Sequence, residues 1–214
     1  LGLDTSGYNN DFSITATVNY VDSLTDTSNI TLNDIVFIDT GKLYTTVNAQ
    51  ISPPNGIFYE DGSLVTFSIS IWFHIEDTST TRTIYVFRDV SNDFNLISTI
   101  LNNIITFSYA DNRINFDVDL AFMGLSGENT WIMYTVIISE NWNFNIYINN
   151  NQVPSGAITD NSLPITPVNG IFYPTLFYIG NNSIDTSPIV GHIKNFILSN
   201  EEFTEQQIYN LYYN

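Results

Sequence analysis

With 214 residues the chain is long enough to bury a core unaided, and the absence of cysteine excludes disulfides, thiol catalysis and cysteine-ligated zinc. The formal net charge is −17, and the only basic side chains besides two histidines are Lys42, Arg82, Arg88, Arg113 and Lys194. They are scattered along the chain, so nucleic acid and anionic membrane surfaces are excluded as partners.

In chain order, the opening LGLDTSG lacks an initiator methionine and reads as the start of a processed polypeptide or of a piece of a longer one. Within the string DTSGYNND, Asp4, Asn10 and Asp11 offer the hard oxygen ligands that calcium takes, although the string also reads as an Asx-rich turn. Nothing in the sequence requires a cofactor, and a structural Ca2+ is the one ion with a candidate loop. Asn29-Ile-Thr and Asn181-Asn-Ser fit the N-glycosylation acceptor pattern, in a chain so rich in Asn, Ser and Thr that chance produces such matches. No apolar run reaches the length of a membrane-spanning helix, so no membrane insertion is expected.

NGIFY occurs twice, at Asn55 to Tyr59 and at Asn169 to Tyr173. The flanks of the two copies do not align, so the chain is not a tandem repeat. Asn-Gly is a strong turn former and Ile-Phe-Tyr a natural strand start, so each copy reads as a turn-to-strand entry.

From Thr66 onward the dominant signal has period two. In TFSISIWFHI, Phe67, Ile69, Ile71, Phe73 and Ile75 alternate with Ser68, Ser70, Trp72 and His74, which predicts a half-buried strand. Similar segments begin at Thr83, Asn103, Arg113, Trp131, Phe144, Leu176 and His192, separated by Asn, Asp, Gly and Pro clusters. Only the C-terminus breaks the pattern. There Thr204-Glu205-Gln206-Gln207 reads as a capping box, followed by Ile208 and Leu211 at helical spacing. The predicted fold class is all-β, many antiparallel strands in a sandwich or jelly roll, closed by one short C-terminal helix.

Several segments, in this order, resemble the LamG-like branch of the concanavalin A-like lectin/glucanase superfamily. LDTSGYNNDFSI is similar to its "D-S-G-x-x-N" opening and VTFSISIWFHI to its "F-T-V-S-x-W" strand. NTWIMYTVIISENWNFNIYINNNQV resembles its "W-x-x-x-x-V" hairpin, with Trp131 and Tyr147 at the anchor positions and Asn149-Asn150-Asn151 where the family has an Asp-Gly turn. LFYIGNN and IVGHIKNFILSNEEFTEQQIYNLY resemble its ending, with Gly191, Ile193, Phe196, Phe203 and Ile208 on the marked positions. The Arg of that pattern is missing at Asn195 or Phe196. The resemblance implies a single LamG-like domain over residues 1–214, built as a two-sheet antiparallel jelly-roll sandwich (concanavalin A-like). It also implies that one sheet is curved, with a concave outer face, and that Trp131 lies in the core.

Glucanases of this superfamily hydrolyse glycosidic bonds with carboxylates from one strand, in a pattern like E-x-D-x-x-E. Such chemistry needs two carboxylates about 5 to 10 Å apart. The nearest string is Asp117-Val118-Asp119, which has no Glu and no third acid, and Glu201-Glu202 reads as helix-end charge. The chain is therefore not expected to be an enzyme, a divergent glycoside hydrolase being the weakest of the alternatives. With only His74 and His192 there is no His-rich metal centre, and no G-x-S-x-G nucleophile motif is present. His74 reads as a polar-face strand residue and His192 as a strand start.

Sugar binding needs aromatic faces flanked by amides and carboxylates, and the chain is stocked with both. Trp72 and His74 on the outward face of their strand, Trp142 in SENWN, Tyr59 and Tyr173 are the candidate ligand-binding residues. The other reading of each is a scattered exposed aromatic of no consequence. The sequence thus predicts a non-catalytic recognition module for glycans or a surface protein partner, at an extracellular, cell or virion surface. The alternative is an assembly domain of a virion, fibre or surface layer, joined through sheet edges that the scarcity of lysine leaves less guarded.

Overall fold

The computed structural model describes residues 13–15, 18–20, 30–32, 35–37, 42–46, 59–60, 63–64, 66–88, 94–109, 114–139, 143–162, 176–180, 189–199 and 201–213. Five short strands come first: β1 (Ser13–Thr15), β2 (Val18–Tyr20), β3 (Ile30–Leu32), β4 (Ile35–Phe37) and β5 (Lys42–Thr46). A two-residue pair follows, β6 (Tyr59–Glu60) with β7 (Ser63–Leu64). Longer strands then carry the fold: β8 (Phe67–Ile75), β9 (Arg82–Arg88), β10 (Phe94–Leu101), β11 (Ile104–Tyr109), β12 (Ile114–Asp119) and β13 (Ile132–Ile138). After them come β14 (Phe144–Ile148), β15 (Asn151–Gln152), β16 (Ile158–Asp160), β17 (Leu176–Ile179) and β18 (Gly191–Ser199). A single helix, α1 (Glu205–Tyr213), ends the described chain.

Two antiparallel sheets result. Sheet I runs β1-β5-β17-β9-β10-β11-β12-β16, and sheet II runs β15-β14-β13-β8-β18-β4-β2 with β3 also paired to β18. The period-two segments explain why they stack. On β8, Phe67, Ile69, Ile71, Phe73 and Ile75 are fully buried and point into one cluster with Tyr134, Val136, Ile193 and Phe196 of their own sheet. Facing them from sheet I are Phe87, Leu96, Ile105, Phe107, Phe116 and Val118. Each such aliphatic or phenyl group taken fully out of water stabilises the sandwich by roughly 1.5–3 kcal/mol. The result is the jelly-roll sandwich that the strand pattern predicts.

Local chemistry sets the joints. Asn149 and Asn150 adopt φ of 50° and 65°, the left-handed pair that a two-residue type I′ turn requires between β14 and β15. Asparagine tolerates that conformation, so the missing Asp-Gly turn costs the hairpin little. Asn195, where the family pattern has no equivalent here for its Arg, has φ of 49° and forms a bulge: Lys194 pairs with Trp72, but the next rung is Ile197 with Ser70.

The helix has a sequence-encoded start. Gln207 N–H donates to Thr204 Oγ1 at 3.2 Å and Thr204 N–H donates to Gln207 Oε1 at 2.8 Å, the reciprocal arrangement of a capping box. The helix lies on the outer side of sheet II. Its buried Ile208 joins Met133, Ile137 and Tyr147, with Trp72, Phe203, Leu211 and Tyr212 around them. Beneath this end, Ser68 Oγ donates to Glu201 O at 2.6 Å, and Ser70 and Thr135 hydroxyls pair at 2.8 Å. Hydroxyl groups that alternation puts on the polar face are thereby satisfied under a helix.

Candidate binding face

The outer face of sheet II divides in two. Helix α1 covers one part, and Trp72 marks the boundary, stacked on Tyr212 with ring centroids 5.3 Å apart and planes 16° apart. Beyond it four rings form one contiguous group. Trp72 and Trp131 are 6.5 Å apart, His74 and Trp131 5.6 Å, Trp131 and His192 5.9 Å, and His74 and His192 5.7 Å. All four residues are half-buried, so their rings pack on the sheet yet reach its surface.

The ladder makes this patch. Ile71 and Phe73 turn inward, which sends Trp72 and His74 outward. His192 is the register partner of His74, and Lys194 that of Trp72. Gly191 permits the pairing: its φ is 145°, and a β-carbon there would stand 2.0 Å from the carbonyl oxygen of His74. Only glycine lets β18 enter the ladder this close to β8. On the other side, Met133 pairs with Trp72 and its N–H donates to Asn149 Oδ1 at 2.9 Å, tying the hairpin turn to the strand that follows Trp131.

The core position implied for Trp131 is corrected by this arrangement. Ile132 is the first inward residue of β13, so Trp131 falls on the opposite face, among the outward rings. Tyr147, the other anchor, is buried beneath α1 rather than between the sheets, and burial, followed by the nearby charge of Glu205, pushes its phenol up. Nδ1 of His74 is buried and has no hydrogen-bond partner among the described residues.

Of the other predicted site residues, Tyr59 heads β6, and Asn55 to Phe58 of the first NGIFY lie outside the described residues. Asp4, Asn10, Asp11, Asn29, Trp142, Tyr173 and Asn181 lie outside the described residues. Among the described residues, no group of three or more His, Asp or Glu is placed to hold a metal ion, and no helix is long and apolar enough to cross a membrane.

The outer face of sheet I carries one wholly polar rung. Thr99, Thr106, Asp117 and Thr159 form one rung across β10, β11, β12 and β16. Asp117 accepts from Thr106 Oγ1 at 2.6 Å and from Asn161 Nδ2 at 3.1 Å. Asp119 accepts from the backbone N–H groups of Ala121 and Phe122 at 2.9 and 3.3 Å. Both carboxylates of the Asp-Val-Asp string are thus hydrogen-bonded within the sheet and the turn that follows it.

Comparison with known proteins agrees with this architecture. The model of the laminin-G type, described as Concanavalin A-like lectin/glucanases superfamily, matches residues 39–209. The chain belongs to that superfamily. Within this lectin/glucanase fold, solved structures of botulinum neurotoxin domains are similar to it. The receptor binding domain of botulinum neurotoxin C/D mosaic serotype has a TM-score of 0.68 at 19% identity, over 98% of this chain and 48% of that one. A structure concerning cell entry of botulinum neurotoxin type C, dependent upon interaction with two ganglioside molecules, has a TM-score of 0.64 at 23% identity, over 98% and 47%. The binding domain of botulinum neurotoxin DC in complex with rat synaptotagmin II has a TM-score of 0.64 at 20% identity, over 98% and 48%. At these identities the likeness shows the fold, and the chain spans about half the length of those structures. A search of curated protein sequences finds no significant match.

Proposed function

We propose that this lectin/glucanase-fold domain is a non-catalytic recognition module that binds saccharides at an extracellular or particle surface through the Trp72–His74–Trp131–His192 patch. One observation carries the reading: four aromatic and imidazole rings, from β8, β18 and the residue before β13, join into a single surface group. Indole faces suit the apolar sides of sugar rings, and imidazole nitrogens suit the hydroxyls. The toxin structures of the same fold supply an outward parallel, since one concerns interaction with gangliosides and another a complex with synaptotagmin II.

Two other readings have less support. A glycosidase needs a carboxyl free to donate or accept a proton at the bond being cut. Asp117 and Asp119 are both engaged in structural hydrogen bonds. Edge-to-edge assembly is favoured by long, flat outer strands. The outermost described strands, β1, β16, β15 and β2, have three residues or two.

The test is a glycan array run beside a pull-down with cell-surface protein, using wild type and the Trp131→Ala variant. Saccharide binding that wild type shows and the folded variant loses supports the proposal. Capture of a surface protein with an empty array moves the partner class to protein, and silence in both assays contradicts a recognition role.

A further inference from the structure

We infer that the core binds one structural water between the two sheets, held by the hydroxyl groups of Tyr85, Ser98 and Tyr134. The inference is independent of the saccharide reading.

Where buried hydroxyls lie under the helix or the loops, protein groups meet them. Ser70 and Thr135 bond each other at 2.8 Å, Ser68 Oγ donates to Glu201 O at 2.6 Å, and Thr78 Oγ1 donates to Asn102 O at 2.6 Å. Tyr85, Ser98 and Tyr134 depart from that pattern. All three are fully buried, and none of their hydroxyls has a hydrogen-bond partner among the described residues. A buried hydroxyl left unbonded is costly, whereas a phenylalanine of the same shape would add no such penalty.

The three groups share one locality. Tyr85 on β9 and Ser98 on β10 are register partners in sheet I. Tyr134, on β13 of sheet II, faces them across the core, its ring 6.4 Å from that of Tyr85 with planes 19° apart. Burial pushes both phenols up, and each also responds to the other's hydroxyl and to that of Ser98. The oxygens are thus near enough to sense one another without being aligned in a direct bond.

The sequence also provides room. On the inward side of β10, Ser98 stands between Leu96 and Ile100, and its partner on β11 is Phe107. A serine fills far less of the space between the sheets than any of these. A buried water typically makes about three hydrogen bonds to polar groups that lack other partners. Each hydroxyl can donate once and accept, so two can accept the protons of the water while the third donates to its oxygen. No charge is required. Two of the partners belong to sheet I and one to sheet II, so the water is a directional joint between sheets that otherwise meet through apolar contact.

The experiment is a crystal structure of the full chain, at a resolution that shows ordered solvent, for wild type and for the Tyr85→Phe/Tyr134→Phe double variant. Wild type is expected to show one solvent peak within about 2.5–3.0 Å of all three hydroxyl oxygens. The double variant, with two of the three partners removed, is expected to lose it. Urea denaturation gives a second readout in solution. Each single variant is expected to raise the unfolding constant about tenfold, and the double variant to stay near that value, because the phenols share one water. No peak in wild type overturns the inference, including the case in which the hydroxyls bond one another directly. So does a peak that stays in place in the double variant, single variants as stable as wild type, or losses that multiply to about a hundredfold.

Discussion

The indole of Trp72 and the phenol ring of Tyr212 stack at 5.3 Å, joining the C-terminal helix to the central strand of sheet II. This contact decides how much of the outer face is open. On one side of it α1 seals Met133, Ile137 and Tyr147, and on the other the rings of His74, Trp131 and His192 remain at the surface. Tyr212→Ala removes the stack and widens the open face. Aromatic pairs contribute about 0.5–1.5 kcal/mol beyond their area, so the variant is expected to lose about 1–3 kcal/mol in urea denaturation. Its tryptophan emission should shift to the red, and an unshifted spectrum would show that Trp72 does not depend on the helix for shelter.

The close approach of Gly191 to the His74 carbonyl makes a sharper prediction. A β-carbon at 2.0 Å from that oxygen cannot be accommodated without moving the backbone of β8 or β18, and the φ of 145° is itself nearly closed to other residues. Gly191→Ala is expected to cost about 3 kcal/mol or more and to pull His192 off its rung with His74. Thermal melting and the imidazole proton resonances of both histidines report the two effects separately. A variant as stable as wild type would mean that the two strands are further apart than described.

The capping box gives a smaller, independent effect. Thr204→Ala removes the hydroxyl that accepts from Gln207 N–H and should destabilise the chain by about 1 kcal/mol. Thr204→Ser, which keeps the oxygen, should stay near wild type. Equal losses in the two variants would show that the methyl contact, not the cap, is what matters.

At the far end of the sandwich, Asp77 is the acid with a clear pH signature. Hydrogen bonds from Ser79, and then the Arg82 guanidinium, hold its carboxyl down from the usual 3.8 to about 2. A carboxyl lowered by folding contributes stability that is fully present above its unfolded pKa and is lost as pH falls through the folded value. For Asp77 the window therefore runs from just above 3.8 down to about 2, and because the group is exposed its share of the whole is small. Carboxyl carbon resonances followed through acid titration should give a midpoint near 2 for Asp77, rising in Ser79→Ala. A midpoint at the ordinary aspartate value would contradict the bonding described.

Much of this was legible in the chain itself, for a physical reason. Alternation is dictated by the pleat, so TFSISIWFHI announced both β8 and the outward direction of Trp72 and His74. Thr204 and Gln207 announced the helix start because capping is local chemistry. Ahead of the first NGIFY, β1 to β4 drew no strand assignment, because they are three residues each, too short for alternation to declare itself. The union of Trp72 with Trp131 and His192 was hidden too. It depends on which strands flank β8, a matter of long-range pairing that one sequence does not encode as a pattern. The misplacement of Trp131 in the core came from the same source, since the family pattern marks the position but not the face.

Saccharide recognition is proposed for the outer face of sheet II. Its most direct test is a titration of 15N-labelled protein with a saccharide that binds, following the indole N–H signals assigned by substitution. The Trp72 and Trp131 indoles are expected to shift together, along with the backbone amides of His74 and His192. Shifts confined to Thr106, Asp117 and Asn161 on sheet I, with both indoles unmoved, would contradict it.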